Sequence, residues 1–93
     1  MFSFFDKRNI LITGAAGTVG EALLAELVVS STPNRIVCLD NNESALFFLE
    51  QQYRDRLNVS FFLCDIRDYQ DLSQHFKDID TVFHVAALKH VVM

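Results

Sequence analysis

The chain has few of the features that mark several classes of protein. Its 93 residues include no Trp, one Pro and two Cys. Eight basic residues stand against twelve acidic ones, for a net charge of −4. Scattered basic residues leave no electrostatic footprint for nucleic acid. No apolar run approaches the ~20 residues of a membrane span, and the N-terminal apolar patch precedes its charges, the reverse of a signal peptide. We therefore expect neither a nucleic-acid nor a membrane partner.

The two cysteines argue against a secreted, disulfide-bonded protein. Cys38 and Cys64 each lie within an apolar run and share no metal-like spacing with a histidine. They are typical of reduced core thiols in a cytoplasmic protein, and a buried disulfide or metal site is the less favoured alternative. The sequence thus predicts a cytoplasmic location and no metal site. With 51% hydrophobic residues, the chain can build a real core.

Short β-rich runs alternate with helical patterns along the chain. The predicted strands are residues 9–13, 35–39, 58–63 and 81–85. Between them, apolar residues recur every four positions, as in amphipathic helices. These positions are Val19, Leu23 and Leu27 in the first helix, Ala45, Leu49 and Tyr53 in the second, and Leu72 and Phe76 in a short third.

This alternation predicts an α/β fold. Strands that alternate with helices run parallel, because each helix returns the chain to the starting edge of the sheet. Continuous rather than alternating hydrophobicity in the strands indicates that both sheet faces are covered. We predict a Rossmann-type doubly wound parallel sheet with about four strands and three helices. A complete sheet of this type usually has six strands, so residues 1–93 are expected to be the N-terminal part of such a domain.

All three glycines stand in one loop, ITGAAGTVG, between the first strand and the first helix. The spacing is G-x-x-G-x-x-G. Gly14 permits a sharp turn, Gly17 has no side chain to block a pyrophosphate, and Gly20 lets the helix approach the sheet. The free amides at the helix start, those of Thr18 and Val19, would face the phosphates at the positive end of the helix dipole. A plain strand-to-helix turn is the alternative, but the context favours a dinucleotide site.

Asp40 directly follows the second predicted strand, 20 residues beyond Gly20, where an acidic residue is expected to bond the adenosine ribose hydroxyls. Capping the helix that starts at Asn41 or Asn42 is its alternative role, and both roles are compatible. A 2′-phosphate ~4 Å from this carboxylate would meet repulsion on the order of 4 kcal/mol per unit charge at an effective dielectric of ~20. The two asparagines, candidate cofactor contacts themselves, do not neutralise that charge. NAD is favoured over NADP.

Four features together resemble the extended branch of the short-chain dehydrogenase/reductase family. They are TGAAGTVG (13–20), Asp40, CDIRD (64–68) and HVAALKH (84–90). A strand that runs into A-A-L-K-H-V resembles the nucleotide-sugar 4,6-dehydratases and epimerases of polysaccharide biosynthesis, which act on UDP-N-acetylglucosamine-type substrates. LDNNESALFFLEQ (39–51) is similar to the same group. The resemblance covers the whole chain, which is about the first third of such an enzyme.

The resemblance implies roles for five further residues. Asp65 would accept a hydrogen bond from the adenine amino group, and Ile66 would present its backbone beside the ring. Ala86 and Ala87 would lie against the cofactor near the pyrophosphate and nicotinamide ribose. Lys89 would reach the diphosphate of the nucleotide sugar. The alternatives are a turn residue for Asp65, helix packing against the sheet for Ala86 and Ala87, and a solvated side chain for Lys89.

The catalytic motif of the family is missing from the chain. That motif is Y-x-x-x-K, whose lysine lowers the tyrosine pKa. Here Tyr53 and Tyr69 are followed four positions later by Leu57 and Ser73. We expect no catalytic residue in this chain, which would supply the adenine half of a cofactor site and would not turn over alone.

The three histidines offer no acid–base pair in the sequence. His84 is predicted to be a hydrogen-bonded strand residue, whereas His75 and His90 have no visible partner. The apolar run VFHVAALKHVVM (82–93) is expected to leave the fourth strand and to be covered by further elements of a longer enzyme. An uncovered edge strand invites pairing with a second copy, so a homo-oligomer is a further expectation.

These features predict the NAD-binding N-terminal portion of a nucleotide-sugar dehydratase or epimerase that acts on UDP-N-acetylhexosamine-type substrates. Two alternatives stay open. One is the NAD-binding part of another extended short-chain reductase. The other is a non-catalytic NAD-sensing module.

Overall fold

The computed structural model describes residues 3–85. A 3₁₀ turn comes first and is followed by four strands and three helices. In chain order they are the turn Ser3–Phe5, β1 Asn9–Thr13, α1 Thr18–Ser30, β2 Arg35–Asp40, α2 Glu43–Gln52, β3 Val59–Leu63, α3 Tyr69–Ser73 and β4 Thr81–His84. The predicted number, order and type of the strands and helices are confirmed.

The four strands form one parallel sheet in the order β3-β2-β1-β4. In its register, Ile10 of β1 lies opposite Ile36 of β2 and Thr81 of β4. The chain moves outward from β1 to β3 and then returns to the far side of β1. The strand order therefore reverses between β1 and β4, and the carboxyl ends of these strands form the crevice where ligands bind in doubly wound sheets. The predicted Rossmann-type fold is confirmed.

Helices cover both faces of the sheet. Because alternate residues of each strand point to opposite faces, each central strand contributes to two separate clusters. On one face Ile10 and Ile12 pack in a cluster with Leu24 and Leu27 of α1 and Leu49 of α2. On the other face the buried cluster is joined by Leu72 of α3, and its members are Leu11, Val37, Leu39 and Cys64. Burying each of the large aliphatic side chains contributes about 1.5–3 kcal/mol.

The edge strands are less covered than the central strands. The central positions of β1 and β2 are buried on both faces. By contrast, Phe62 and Leu63 of β3 are 44% and 53% exposed, and Val82 of β4 is 44% exposed. The side chains of β3 and β4 are more exposed because these strands lie at the two edges of the described sheet, while the predicted coverage of both sheet faces is seen at β1 and β2.

The buried face of α1 differs from the predicted stripe. Gly20, Leu24 and Leu27 are its buried residues, whereas Val19 is 57% exposed. Leu23 is half-buried. The helix turns Gly20 toward the sheet because the residue without a side chain allows the closest approach, and this choice moves Val19 outward.

The other two helices follow their predicted stripes in part. In α2 the buried residues are Leu46 and Leu49, and Tyr53 lies half-buried just beyond the last turn. In α3 Leu72 is half-buried, but Phe76 lies past the end of the helix and is 39% exposed. The prediction that α3 carries Phe76 is wrong because the helix ends at Ser73.

Side chains cap two of the three helices. Asn42 Oδ1 accepts from the Ala45 N–H at 3.1 Å, and Asp68 Oδ1 accepts from the Asp71 N–H at 3.2 Å. Asparagine and aspartate are preferred at such positions because their side-chain oxygens accept from the free amides of the first turn. The N-cap of α1 is Gly17, which offers no side-chain hydrogen bond. The first amides of α1 are thus left for another partner.

Candidate functional site

The glycine loop is a tight turn fastened to the end of β2. Gly14 has a φ of 75°, in the left-handed region that favours glycine. The amides of Gly14 and Ala15 both donate to the carbonyl oxygen of Leu39, at 2.9 and 3.1 Å, and the Gly17 N–H donates to the Gly14 oxygen at 3.2 Å. The loop therefore leaves β1 at the crevice and turns directly into α1.

Close packing of α1 on this loop requires glycine at position 20. A Cβ atom at Gly20 would lie 2.2 Å from the carbonyl oxygen of Gly14 and 2.8 Å from Cα of Ala15. Gly17 is different, because its φ of −81° and ψ of 173° suit any residue. The backbone thus requires glycine at positions 14 and 20. At position 17 the absence of a side chain instead leaves room for a ligand to approach the loop.

The first turn of α1 presents unpaired amides. Its first backbone hydrogen bond runs from the Glu21 N–H to the Gly17 oxygen at 2.8 Å. Within residues 3–85, the N–H groups of Thr18 and Val19 have no hydrogen-bond partner, and both residues are exposed. Bare amides at the positive end of a 13-residue helix form an anion-binding site.

Asp40 lies against this loop rather than serving as a helix cap. Its Oδ2 accepts from the Ala16 N–H at 2.9 Å, and its Oδ1 accepts from the Asn42 N–H at 2.9 Å. Because Asn42 caps α2, the predicted capping role of Asp40 is wrong. Asn41 lies exposed in the bend between them. The structure thus brings the Asp40 carboxylate next to the loop that precedes the bare amides.

Asp65 and Ile66 lie in the turn between β3 and α3, both half-buried. This turn joins the crevice edge through Cys64, whose N–H donates to the Asp40 carbonyl oxygen at 2.9 Å. The Asp65 carboxylate is held by Arg67, whose Nε lies 3.0 Å from Oδ1 and whose terminal nitrogen lies 2.8 Å from Oδ2. Hydrogen bonds from the Arg67 side chain and backbone lower the pKa of Asp65 to about 2.

The sequence did not predict the Asp65–Arg67 pair. The Arg67 backbone N–H also donates to Asp65 Oδ1, at 3.0 Å. A carboxylate has about four acceptor positions, and Arg67 fills three of them. One position on Oδ2 is therefore left for a donor such as an adenine amino group.

His84 forms the hydrogen bond expected of it. Its Nδ1 lies 2.9 Å from the hydroxyl oxygen of Thr13, which is fully buried. Thr13 is the last residue of β1, and its partner ends β4. This bond joins the two strands at the point where the strand order reverses, directly before Gly14.

The remaining predicted contacts lie outside the described residues. These are Ala86, Ala87 and Lys89, together with His90. Their predicted roles toward cofactor and nucleotide sugar stay predictions.

Both cysteines are free and buried, so the disulfide alternative is excluded. Burial raises the pKa of the Cys38 thiol. His75, which had no visible partner in the sequence, has its Nε2 3.9 Å from Asp71 Oδ1 and its ring centroid 4.9 Å from that of Phe62. The spacing of four residues between Asp71 and His75 is the signal that could have revealed their contact.

The helices of the described residues are all too short or too polar to cross a membrane.

Comparison with known proteins identifies relatives of the chain. The profile of the family described as "Polysaccharide biosynthesis protein" matches residues 10–93. An uncharacterized membrane protein of Methanocaldococcus jannaschii is 38% identical over 89 residues, which are 96% of this chain and 26% of that protein. A UDP-N-acetylglucosamine 4,6-dehydratase (inverting) of Campylobacter jejuni is 36% identical over 87 residues, 94% of this chain and 26% of that enzyme. The chain spans about a quarter of the length of these curated relatives.

Solved structures share the fold. The X-ray structure of Pen from Bacillus thuringiensis has a TM-score of 0.84 and 36% sequence identity, and it covers 95% of this chain and 27% of its own. A structure of NAD⁺-bound xylitol dehydrogenase has a TM-score of 0.68 and 27% identity, with 84% of this chain and 32% of its own covered.

Proposed function

The chain belongs to the polysaccharide biosynthesis protein family, and from this premise we propose that its glycine loop binds the pyrophosphate of a nicotinamide dinucleotide. The observation that carries the proposal is the pair of bare amides, Thr18 and Val19, at the head of α1 beside the crevice. Amides so placed suit an anion, because they are fixed and lie at the positive end of the helix dipole. The NAD⁺-bound xylitol dehydrogenase with a similar fold supports this choice of ligand.

The proposed cofactor is NAD rather than NADP. Asp40 would accept hydrogen bonds from the adenosine ribose while its carboxylate repels a 2′-phosphate. In the described part of the chain its carboxylate accepts hydrogen bonds from the N–H groups of Ala16 and Asn42, and it forms no salt bridge. Asn41 and Asn42 would flank the ribose, and Asp65 and Ile66 would flank the adenine ring.

We propose that the protein is a nucleotide-sugar dehydratase or epimerase acting on UDP-N-acetylhexosamine-type substrates, and that residues 1–93 are the N-terminal part of its dinucleotide-binding domain. The Campylobacter jejuni dehydratase supports the substrate class, as does the HVAALKH segment, in which Lys89 would contact the diphosphate and Ala86 and Ala87 the cofactor. Bound NAD would accept hydride from the sugar. The chain's own residues would hold the adenine half of the cofactor and exclude bulk at Gly17.

Calorimetric titration of the 93-residue chain with NAD, NADP and ADP tests the proposed site. We expect NAD to bind at least tenfold more tightly than NADP, and ADP to bind weakly through the same amides. A Gly17→Val variant should abolish binding, because its side chain would fill the space of the phosphates. Equal affinity for NAD and NADP would contradict the role of Asp40, and unchanged affinity in the variant would contradict the loop as the phosphate site.

The coding sequence downstream of codon 93 separates this proposal from its alternatives. We expect a Y-x-x-x-K motif there, with a Ser or Thr nearby. A reading frame without that motif would favour a non-catalytic NAD-sensing module. A motif in a protein that converts no UDP-N-acetylhexosamine would favour another extended short-chain reductase.

A second copy of the chain is a proposed partner. The exposed apolar residues of the edge strands, Phe62, Leu63 and Val82, support it. Light scattering after size exclusion should give a dimer mass that a Val82→Lys or a Leu63→Lys variant reduces to that of a monomer. A monomer in the parent chain would contradict the proposal.

A further inference from the structure

A group of three different metal-binding side chains lies on the sheet face that α3 covers. Cys64 follows β3, Asp71 belongs to α3, and His75 lies just beyond that helix. The sulfur of Cys64, a carboxylate oxygen of Asp71 and a ring nitrogen of His75 all lie within 4.8 Å of one another. We call this group the thiol–carboxylate–imidazole cluster. None of its members belongs to the proposed cofactor site.

The fold holds each of the three side chains in place. Cys64 is only 2% exposed, and its backbone N–H is bonded to the end of β2. Gln74 Nε2 donates to Asp71 Oδ1 at 2.9 Å and thereby orients the carboxylate. The ring of His75 packs on Phe62, and its side chain is 14% exposed. Supporting contacts of this kind fix the ligands of protein metal sites.

The charged groups that act on Cys64 are negative. Burial raises the pKa of the Cys64 thiol to about 11, with further contributions from Asp71, Asp65 and Asp68. Arg67 compensates only Asp65, with which it is paired. A divalent cation between the sulfur of Cys64 and the carboxylate of Asp71 would reverse this effect and favour the thiolate. Its two positive charges would be balanced by the negative charges of the thiolate and the carboxylate, with a neutral imidazole as the third ligand.

We propose that Cys64, Asp71 and His75 bind one Zn²⁺ ion. Sulfur, nitrogen and oxygen donors together suit zinc, whereas Mg²⁺ and Ca²⁺ require oxygen ligands. Bond lengths of about 2.0–2.3 Å in a tetrahedral site imply donor atoms roughly 3.5 Å apart. Side-chain rotations that move the donor atoms by about 1 Å would bring them to this spacing around the ion. Water would take the fourth position. The cysteine proton passes to solvent on binding.

Zinc at this point would clamp α3 to the end of β3. The five-residue helix α3 carries no fully buried residue, so its attachment to the sheet rests on few apolar contacts. The clamp would also fix the turn that contains Asp65 and Ile66. The expected role is structural, and the chain should gain stability when zinc is added.

Titration of the 93-residue chain with Zn²⁺, and with Co²⁺ as a spectroscopic probe, tests the site. We expect one ion per chain, a thiolate-to-cobalt charge-transfer band in the near ultraviolet and a rise in Tm with Zn²⁺. Each of the variants Cys64→Ser, Asp71→Asn and His75→Gln should weaken Zn²⁺ binding by at least about tenfold, the loss that even an outer-shell partner can cause. Cys64→Ser should also remove the charge-transfer band.

Cys38→Ala is the matched control, because Cys38 is equally buried but lies in the core cluster on the other sheet face. It should leave the stoichiometry and the cobalt band unchanged. Asp71→Asn and His75→Gln change partly exposed side chains and keep the test valid should Cys64→Ser fail to fold. Failure of the parent chain to bind Zn²⁺, or Co²⁺ binding without a charge-transfer band, would overturn the proposal. Binding that survives Asp71→Asn and His75→Gln would overturn it as well.

Discussion

The carboxylate of Asp40 accepts a hydrogen bond from the backbone N–H of Ala16, with 2.9 Å between the two atoms. The two residues are separated by 24 positions in the chain. Asp40 is the residue expected to distinguish NAD from NADP, and Ala16 belongs to the loop expected to hold the phosphates. The Asp40 side chain therefore has two functions to test. Its charge would act on the cofactor's ribose, and its oxygen accepts a hydrogen bond from the loop.

Asp40→Asn should separate these two functions. The amide oxygen can still accept from one of the two N–H groups that the carboxylate binds, those of Ala16 and Asn42, while the negative charge and the other hydrogen bond are lost. We expect the preference for NAD over NADP to fall at least tenfold and the free energy of unfolding to fall by about 1 kcal/mol, the usual net value of one hydrogen bond. Calorimetry with both cofactors and urea denaturation measure the two quantities.

Asp40→Ala is the companion variant. It removes the charge and both acceptor oxygens, so we expect a further loss of about 1 kcal/mol in stability relative to Asp40→Asn, which keeps one of the two hydrogen bonds. Affinity for NAD should fall as the loop loosens. An unchanged cofactor preference in both variants would mean that Asp40 acts only on the loop.

Gly20→Ala should destabilise the fold. The added Cβ would collide with the Gly14 carbonyl oxygen, and α1 would have to move away from the loop. Overpacking of this kind costs about 1–3 kcal/mol, measurable as a lower urea midpoint at an unchanged slope. A midpoint equal to that of the parent chain would contradict the close packing.

Gly17→Ala provides the contrasting case. The φ of −81° at Gly17 suits alanine, so the free energy of unfolding should fall by less than about 1 kcal/mol, with alanine being a poorer N-cap than glycine. NAD binding should weaken because the methyl group intrudes on the space of the phosphates. Calorimetry and urea denaturation should therefore show mainly a loss of NAD affinity in Gly17→Ala and mainly a loss of stability in Gly20→Ala.

His84→Ala should leave the buried hydroxyl of Thr13 without its partner. An unsatisfied buried polar group costs about 1–3 kcal/mol. In a Thr13→Val/His84→Ala double variant the hydroxyl is gone as well, so the second substitution should cost less than it does alone. A double-mutant cycle on the free energies of unfolding measures this coupling; strict additivity would contradict the bond.

The Asp65–Arg67 pair predicts a dependence of stability on acid pH. The pKa of Asp65 is lowered from its usual 3.8 to about 2 in the folded state. Its contribution is therefore complete above about pH 4 and is lost as the pH falls toward 2. The pair is exposed, with relative side-chain accessibilities of 84% for Arg67 and 40% for Asp65, so the contribution is small.

Arg67→Ala should return the pKa of Asp65 most of the way to 3.8. NMR titration of the Asp65 carboxyl group measures this shift directly. Arg67→Lys is the control: it keeps the charge but loses the two-pronged hydrogen bonding, so the pKa should lie between the other two. A titration unaffected by Arg67→Ala would contradict the pairing.

Local patterns sufficed for much of the fold. The strands were predictable because β1 and β2 are continuous apolar runs. The stripe of α1 was mispredicted at Val19, because the periodicity of apolar residues carries no information about a glycine that packs by having no side chain.

The sequence by itself determined the order of strands and helices, the parallel sheet and the need for glycine at positions 14 and 20, since these depend on hydrophobic period and on backbone sterics over short distances. Only the tertiary structure decided which side chains meet at the crevice. The bond between Asp40 and Ala16 spans 24 positions and that between Thr13 and His84 spans 71. Such contacts follow from strand order and register, which set distances in space that no local pattern records.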